Sequence, residues 1–432
     1  MATQTTGGGS TTSLSNTPQA NGDIYYKSEA DLGVYCFDVM SNDLGGNAKI
    51  LWSLDDSATD AAGALDLIQS DTSATAVTTT DTSAAGAKIW IESGKVRYDA
   101  NSLPLAIKNA IDALGYNGTL SDSFTYAIRM ANGTLAWTTV TVVFKGVNDN
   151  VVISASSTAT GCITEDSGNY QAAGSIGFGD VDLSDTHTVN SAANGSGYLG
   201  TFSAVLGNDS TGDGSGQVDW TFNVDNSAIQ YLATNETKVQ EYTVTIDDGH
   251  GGSTTQTVSV TLKGVNDAVV IVPGGVKAGA VVEDGGDYEE TGSFGFSDVD
   301  LTDTHSVSVT PAGSGYLGTL NASVSNDSTG DGAGQVDWTF NVDNDFLQSL
   351  GEDEVVTQTY SVTVNDGHGG SVSQTVTITL TGVNGLATIA GDDSGDVVED
   401  TTLTATGTLT IDDEDSGENE LVPIAAGTAG DN

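Results

Sequence analysis

Tyr242 to Leu262 reads YTVTIDDGHGGSTTQTVSVTL, and Tyr360 to Leu380 reads YSVTVNDGHGGSVSQTVTITL. In the first stretch Tyr242, Val244 and Ile246 alternate with Thr243 and Thr245, and Val258, Val260 and Leu262 alternate with Ser259 and Thr261. A period of two puts the apolar side chains on one face, the pattern of two half-buried β-strands. Between them, Asp247-Asp248-Gly249-His250-Gly251-Gly252 supplies the glycines that a tight reversal needs. The second stretch repeats the pattern with Tyr360, Val362, Val364, Val376, Ile378 and Leu380. Trp220, Phe222 and Val224 form a third alternating strand, matched by Trp338, Phe340 and Val342.

The two stretches start 118 residues apart, and other landmarks keep that interval. GSGYLGT begins at Gly195 and Gly313, GQVDWTFNVDN at Gly216 and Gly334, and Gly-Val-Asn recurs at Gly146, Gly264 and Gly382. A period this long is a whole domain, above the roughly 20–50 residues of solenoid and propeller units. Many short strands with frequent turns in each unit indicate an all-β chain of tandem β-sandwiches. Before each last hairpin, Ile111 and Leu114, Ile229 and Leu232, and Leu347 and Leu350 sit three apart, the spacing of a helical turn facing the core. In the first unit this element is expected to be longer, from Ser102 and Pro104 to Gly115, with a later hairpin turning at Asn132-Gly133. The expected organisation is a flexible segment 1–20, a divergent sandwich 21–149, close repeats at 150–267 and 268–385, and the start of a truncated repeat at 386–432.

The formal net charge is −48, from 59 acidic residues against 11 Lys and Arg. Such a polyanion repels nucleic acid phosphates and anionic lipid heads, so neither is an expected partner; cations are. The N-terminal residues lack a basic region followed by an apolar core, so they do not read as a Sec signal, and runs such as Val269 to Val272 are too short to span a membrane. An exported chain of this kind needs another route, or is a piece of a longer one. Cys36 and Cys162 fall in different units and read as two buried small hydrophobes.

The acids crowd the boundaries between units. The first boundary reads Asn148-Asp149-Asn150, then Glu165-Asp166, then Asp180-Val-Asp182 and Asp185; the second reads Asn266-Asp267, then Glu283-Asp284, then Asp298-Val-Asp300 and Asp303. Each acid has its counterpart 118 residues on. On this reading the Glu-Asp pair and the Asp-Val-Asp fold back to the same pole of their sandwich. Two unit charges 4 Å apart repel by about 1 kcal/mol in water and about 4 kcal/mol at an effective dielectric near 20. A bound cation is needed to hold such geometry, and oxygen ligands in numbers suit Ca²⁺ better than Mg²⁺.

These residues also carry a resemblance. Gly-Val-Asn-Asp closing each unit, the Asp-Gly-His-Gly-Gly hairpin and the Tyr-x-Val-x-Val strand resemble the VCBS and cadherin-like repeats of large bacterial RTX adhesins, closely over about 150–432 and more loosely over 20–149. The final TATGTLTIDDEDSGEN looks like the opening of another VCBS repeat. The resemblance implies Ig- or cadherin-like sandwiches in an extended rod, a Ca²⁺-stiffened stalk at the bacterial cell surface, type I secretion, and a role in adhesion or biofilm formation. It implies partners in the neighbouring repeats and in a host or biofilm surface ligand. Asn148-Asp149-Asn150 is similar to the cadherin linker, Glu165 to its base glutamate, and Asp180 with Asp182 to its Asp-x-Asp pair. The pattern departs at Ala268 after Asn266-Asp267, and at Gly385 after Asn384. That third boundary is expected to bind more weakly, although Asp392, Asp393, Glu399 and Asp400 remain nearby, with Glu399 and Asp400 as its candidate ligands.

Other motifs carry less. Gly195-x-Gly197-x-x-Gly200 and its repeat at Gly313 match a dinucleotide fingerprint by letter, but a strand is expected to follow, so they read as turns. Asp209 to Gly214 starts like an EF-hand loop, yet Trp220 stands where the bidentate glutamate belongs, so a polar hairpin loop is expected. His187, His250, His305 and His368 read as turn residues. No nucleophile elbow and no His-Glu-x-x-His occur, so no catalytic site is expected. The leading function is a calcium-rigidified spacer of a surface adhesin; the alternatives are glycan or protein binding by the divergent first domain, and a noncatalytic spacer of a secreted hydrolase.

Overall fold

The computed structural model describes residues 19–55 and 67–420. Most of the expected flexible segment 1–20 lies outside the described residues. The chain is all-β and is built as tandem sandwiches of short sheets. Its described residues form two compact units, one of 19–55, 67–161, 172–223 and 240–260, the other of 162–171, 224–239 and 261–420.

In the first unit the opening sandwich contains β1 (Asp23–Ser28), β2 (Val34–Phe37), β3 (Lys49–Asp55), β4 (Lys88–Glu92), β5 (Lys95–Asp99), α1 (Leu105–Asp112), β6 (Thr119–Met130) and β7 (Leu135–Lys145). Its sheets have the orders β1-β7-β6-β3 and β2-β5-β4. Between them lies a core that includes Phe37, Tyr98, Phe124, Tyr126 and Phe144. The hairpin at Asn132-Gly133 is present, with Gly133 at φ +88°. The helix starts at Leu105, two residues later than a cap at Ser102 would give, because Ala100–Ser102 form a separate 3₁₀ turn.

The next strands are β8 (Val152–Ile153), β9 (Thr160–Thr164), β10 (Gln171–Gly179), β11 (Thr188–Ala193), β12 (Thr201–Asn208), β13 (Ser215–Asn223), β14 (Thr237–Asp247) and β15 (Ser253–Lys263). They make the sheets β12-β13-β10-β8 and β11-β14-β15-β9. The alternation is realised: Trp220, Phe222, Val244, Ile246, Val258, Val260 and Leu262 are all fully buried. The Trp220 indole donates to Thr158 O at 2.7 Å and lies against Gly174, where any Cβ would meet the ring at 2.7 Å.

In the second unit follow β16 (Val270–Ile271), β17 (Ala278–Val282), β18 (Glu289–Ser297), β19 (Ser306–Pro311), β20 (Thr319–Asn326), β21 (Ala333–Asn341), α2 (Asn344–Leu347), β22 (Val355–Asn365) and β23 (Ser371–Thr381). The sheets β16-β18-β21-β20 and β17-β23-β22-β19 close over Phe294, Phe296, Trp338, Phe340, Val362, Val364 and Ile378. After them β24 (Thr388–Gly391) and β25 (Leu409–Asp412) make a two-stranded sheet, and from 386 to 420 only Asp415 is buried.

Both Gly-x-Gly-x-x-Gly segments connect one strand to the next with no helix after them, as their reading as turns requires. The cysteines differ from expectation. Cys36 and Cys162 are exposed and free, because each takes the outward position of a strand whose inward neighbours, Tyr35 and Phe37 or Ile163, fill the core.

One pairing positions everything that follows. The first long strand of a sandwich runs parallel to its last: β1 to β7 from Asp23↔Val140 to Ser28↔Lys145, and β17 to β23 from Ala278↔Thr377 to Val282↔Thr381. Parallel strands finish at the same end, so the residue after the first strand lands beside the chain's exit. The glycine of each Gly-Val-Asn packs beneath the carbonyls that end the helical turn. A Cβ on Gly146 would meet Leu114 O at 2.4 Å, and one on Gly264 would meet Leu232 O at 2.1 Å.

Candidate metal centres

The parallel pairing brings a glutamate to each exit. Val147 N donates to Glu29 Oε1, Val265 N donates to Glu165 Oε1 at 2.6 Å, and Val383 N donates to Glu283 Oε2 at 3.0 Å. An aspartate then clasps the linker. Asp149 N donates to Asp182 Oδ2 at 2.8 Å, Asp267 N to Asp300 Oδ2 at 2.8 Å, and Gly385 N to Asp415 Oδ2 at 2.8 Å.

Two triads result, Glu29–Asp149–Asp182 in the first unit and Glu165–Asp267–Asp300 in the second. Each contributes three carboxylate oxygens lying within 4.8 Å of one another. The glutamates and the second aspartates are buried, and the linker aspartates half-buried. Glu29 Oε2 and Asp182 Oδ1 are buried with no hydrogen-bond partner; so are Glu165 Oε2, Asp267 Oδ2 and Asp300 Oδ1. Buried polar atoms are nearly always paired in folded proteins, and among the described residues no lysine or arginine pairs with any of these six. Burial first, then nearby carboxylates, push Glu29, Glu165 and Asp300 up to about 7 and Asp182 up to about 6, against opposing backbone N–H donors; for Asp300 and Asp182 the strongest of these carboxylates are Asp298 and Asp185. Burial first, then Asp112 and Asp180, raise Asp149, and burial first, then Asp166 and Asp298, raise Asp267.

The donor set fits a hard dication. Oxygens held at about 2.3–2.6 Å from Ca²⁺ lie up to about 5 Å apart, which spans the observed 4.8 Å. Orphaned oxygens converging at one point are what such an ion would satisfy.

The sequence grouping needs correction. Glu165 is grouped with Asp267 and Asp300, which follow it by a hundred residues or more, and not with Asp180 and Asp182. Glu283 likewise reaches the third exit, where Gln348 Nε2 also donates to it at 2.7 Å. Asp166 and Asp284 sit next to their glutamates in the left-handed region at φ +52°, held by Asn226 and Asn344. Asn148 and Asn266 are pinned through Nδ2 to Asp248 and Asp366, and their Oδ1 atoms are buried and unpartnered. Asn150 is exposed and outside the triads.

Glu29 was missed, although the first unit supplies it. It lies 118 residues before the valine it caps, whereas Glu165 and Glu283 lie 100 before theirs, so a fixed register passes over it. At the third exit the structure groups Asp413, Asp415 and Glu418, with Asp415 Oδ1 buried and unpartnered. Glu399, Asp400, Asp392 and Asp393 are not in that group.

The histidines are more than turn residues. His187 and His305 have fully buried side chains between two carboxylates each, while His250 and His368 remain in their hairpins and bond Asp185 and Asp303. The loop from Asp209 is a hairpin loop, and Asp209 is turned toward His187.

No family model matches this sequence, and no curated protein matches it. Among solved structures, the chain is similar to domains EC1–3 of a mouse clustered protocadherin (PcdhgC3) at 13% identity, covering 68% of this chain and 86% of that one, with a TM-score of 0.32. It is similar to protocadherin gammaB7 EC3–6, a cis-dimer structure, at 11% identity, 92% and 83% coverage and a TM-score of 0.40. A third is the human desmocollin-1 ectodomain, at 12% identity, 93% and 68% coverage and a TM-score of 0.33.

Proposed function

We propose that this chain is a noncatalytic spacer of an extracellular adhesin, stiffened by Ca²⁺ held where one sandwich passes to the next. The observation that carries the proposal is the convergence of buried, unpartnered carboxylate oxygens at two successive Gly-Val-Asn exits. Glu29, Asp149 and Asp182 would hold the ion at the first, and Glu165, Asp267 and Asp300 at the second; Asn148 and Asn266 offer a further oxygen each. A dication supplies the positive charge these groups lack. At each exit the glutamate comes from the sandwich before the linker, the second aspartate from the sandwich after it, and Asp149 or Asp267 from the linker itself. Neutralising all three at once resists hinge motion between successive sandwiches. The third exit, with Gly385 in place of the linker aspartate, would rely on Asp413, Asp415 and Glu418.

Such sites suit the calcium-rich exterior, where modules bind with a Kd of about 10⁻⁴–10⁻³ M. The bacterial cell surface, the VCBS and RTX relationship, type I secretion and biofilm contact rest on the sequence motifs quoted above. Calorimetric titration of the metal-stripped chain with Ca²⁺ tests the reading. Binding at two or more sites, with one lost in Asp182→Asn and another in Asp300→Asn, supports it; no binding up to about 10 mM, well above that range, sinks it.

A further inference from the structure

We propose that His187 and His305 are positioning residues for these sites: each locks the first aspartate of its Asp-Val-Asp away from the ion and thereby fixes the second as the ligand. This rests on the cation reading above. The side chains of His187 and Asp180 are wholly buried, as are those of His305 and Asp298. Asp180 spends both oxygens internally: Oδ1 accepts from Asp182 N at 2.9 Å, and Oδ2 meets His187 Nε2 at 3.0 Å. His187 is anchored from behind, its Nδ1 2.7 Å from Asp209 Oδ1 and its backbone N donating to Asp209 Oδ2 at 3.2 Å, with the Phe178 ring 4.9 Å away.

The second copy reproduces every contact. Asp298 Oδ1 accepts from Asp300 N at 3.0 Å, Asp298 Oδ2 meets His305 Nε2 at 3.1 Å, and His305 Nδ1 lies 2.7 Å from Asp327 Oδ1. In both copies the aspartate two residues on has one oxygen clasping the linker and the other unpartnered in the triad.

The third exit supplies the contrast. Asp413 holds Asp415 N through Oδ1 at 3.0 Å in the same way, but among the described residues no histidine bonds it. There Asp413 joins the carboxylate group with Asp415 and Glu418, whereas Asp180 and Asp298 stand outside theirs. The histidine therefore decides how many aspartates face the ion. Partners that orient a ligand typically change metal affinity about 10–100-fold.

The test uses the full chain, with Ca²⁺ affinity by calorimetry and unfolding in EGTA as separate readouts. His187→Ala should weaken the first site about 10–100-fold and leave the second untouched. His187→Gln, which keeps a donor near Nε2, should restore most of the affinity. Asp180→Asn should stay close to wild type, since its amide oxygen still accepts from Asp182 N, while Asp182→Asn abolishes the site. Asp209→Asn, altered at the outer end of the brace, should reproduce part of the loss without disturbing the core. A His187→Ala chain that melts lower in EGTA yet binds Ca²⁺ as before overturns the proposal, and so does Asp180→Asn losing as much affinity as Asp182→Asn. If His187→Ala does not fold, Asp209→Asn with unchanged affinity overturns it. A wild-type chain that binds no Ca²⁺ overturns the cation reading and this one together.

Discussion

Replacing Glu165 by glutamine should change stability in opposite directions with and without calcium. The three oxygens of its triad lie within 4.8 Å. At that separation each ionised pair repels by about 0.9 kcal/mol in water and about 3.5 kcal/mol at an effective dielectric near 20. Glutamine removes two of the three pairs, a relief between about 1.8 and about 7 kcal/mol. Asp267 is half-buried, so water screens its pair and the lower part of that interval applies, about 2 kcal/mol. The amide oxygen still accepts from Val265 N, and the amide nitrogen occupies the place of the unpartnered Oε2 and donates to a carboxylate. In EGTA at pH 8, differential scanning calorimetry should show the transition carrying this exit rising by roughly 8 °C, at about 4 °C per kcal/mol for a domain of this size. In saturating Ca²⁺ the wild type gains about 2.7 kcal/mol once the ion is at a hundred times its Kd, and the variant gains little. The order of the two proteins should therefore reverse. A variant that melts lower in both conditions by the same amount would refute the reasoning and make Glu165 a structural hydrogen-bond acceptor only.

Three further outcomes follow from the same geometry. In EGTA, Glu29, Glu165 and Asp300 at about 7 and Asp182 at about 6 lie above their unfolded values near 4. The folded chain then holds more protons, so their contribution to stability is greatest below about pH 4 and is lost as pH rises to about 7. Urea melts across that window should show stability falling, and saturating Ca²⁺ should abolish the fall; a rise with pH in EGTA contradicts the account. Gly264→Ala places a Cβ 2.1 Å from Leu232 O and 2.2 Å from Ala233 O, so it should cost about 1–3 kcal/mol and lower the melting temperature; an unchanged value would mean the exit is loosely packed. Cys36 and Cys162 should both react with a thiol reagent in the native chain, and protection of either contradicts its exposed placement.

The strands were legible because each carries its own burial code. Trp220, Phe222, Val244 and Ile246 alternate with polar residues, and alternation alone assigns the inward face. Asp149 with Asp182, and Asp267 with Asp300, could be paired because both members repeat in register at the exits. Sequence alone does not group Glu165 with Asp267 and Asp300, because nothing local ties it to a linker a hundred residues away. Glu29 lay beyond reach for the same reason, compounded by the longer path through the first sandwich. His187 read as a turn residue because its partner Asp209 is 22 residues distant, and a loop supplies it. The third exit escaped because its clasping aspartate, Asp415, comes 30 residues after the linker position, against 33 at the first two. Cys36 and Cys162 show the limit of residue-type averages: strand phase, not apolarity, decides which way a side chain points.

Small-angle X-ray scattering of the whole chain in millimolar Ca²⁺ and then in EGTA, at matched ionic strength, tests most directly whether calcium stiffens the joints. With calcium the particle should be longer and stiffer, and in EGTA softer or shorter. Superimposable profiles would contradict it, and would leave the buried carboxylates without the cation their geometry calls for.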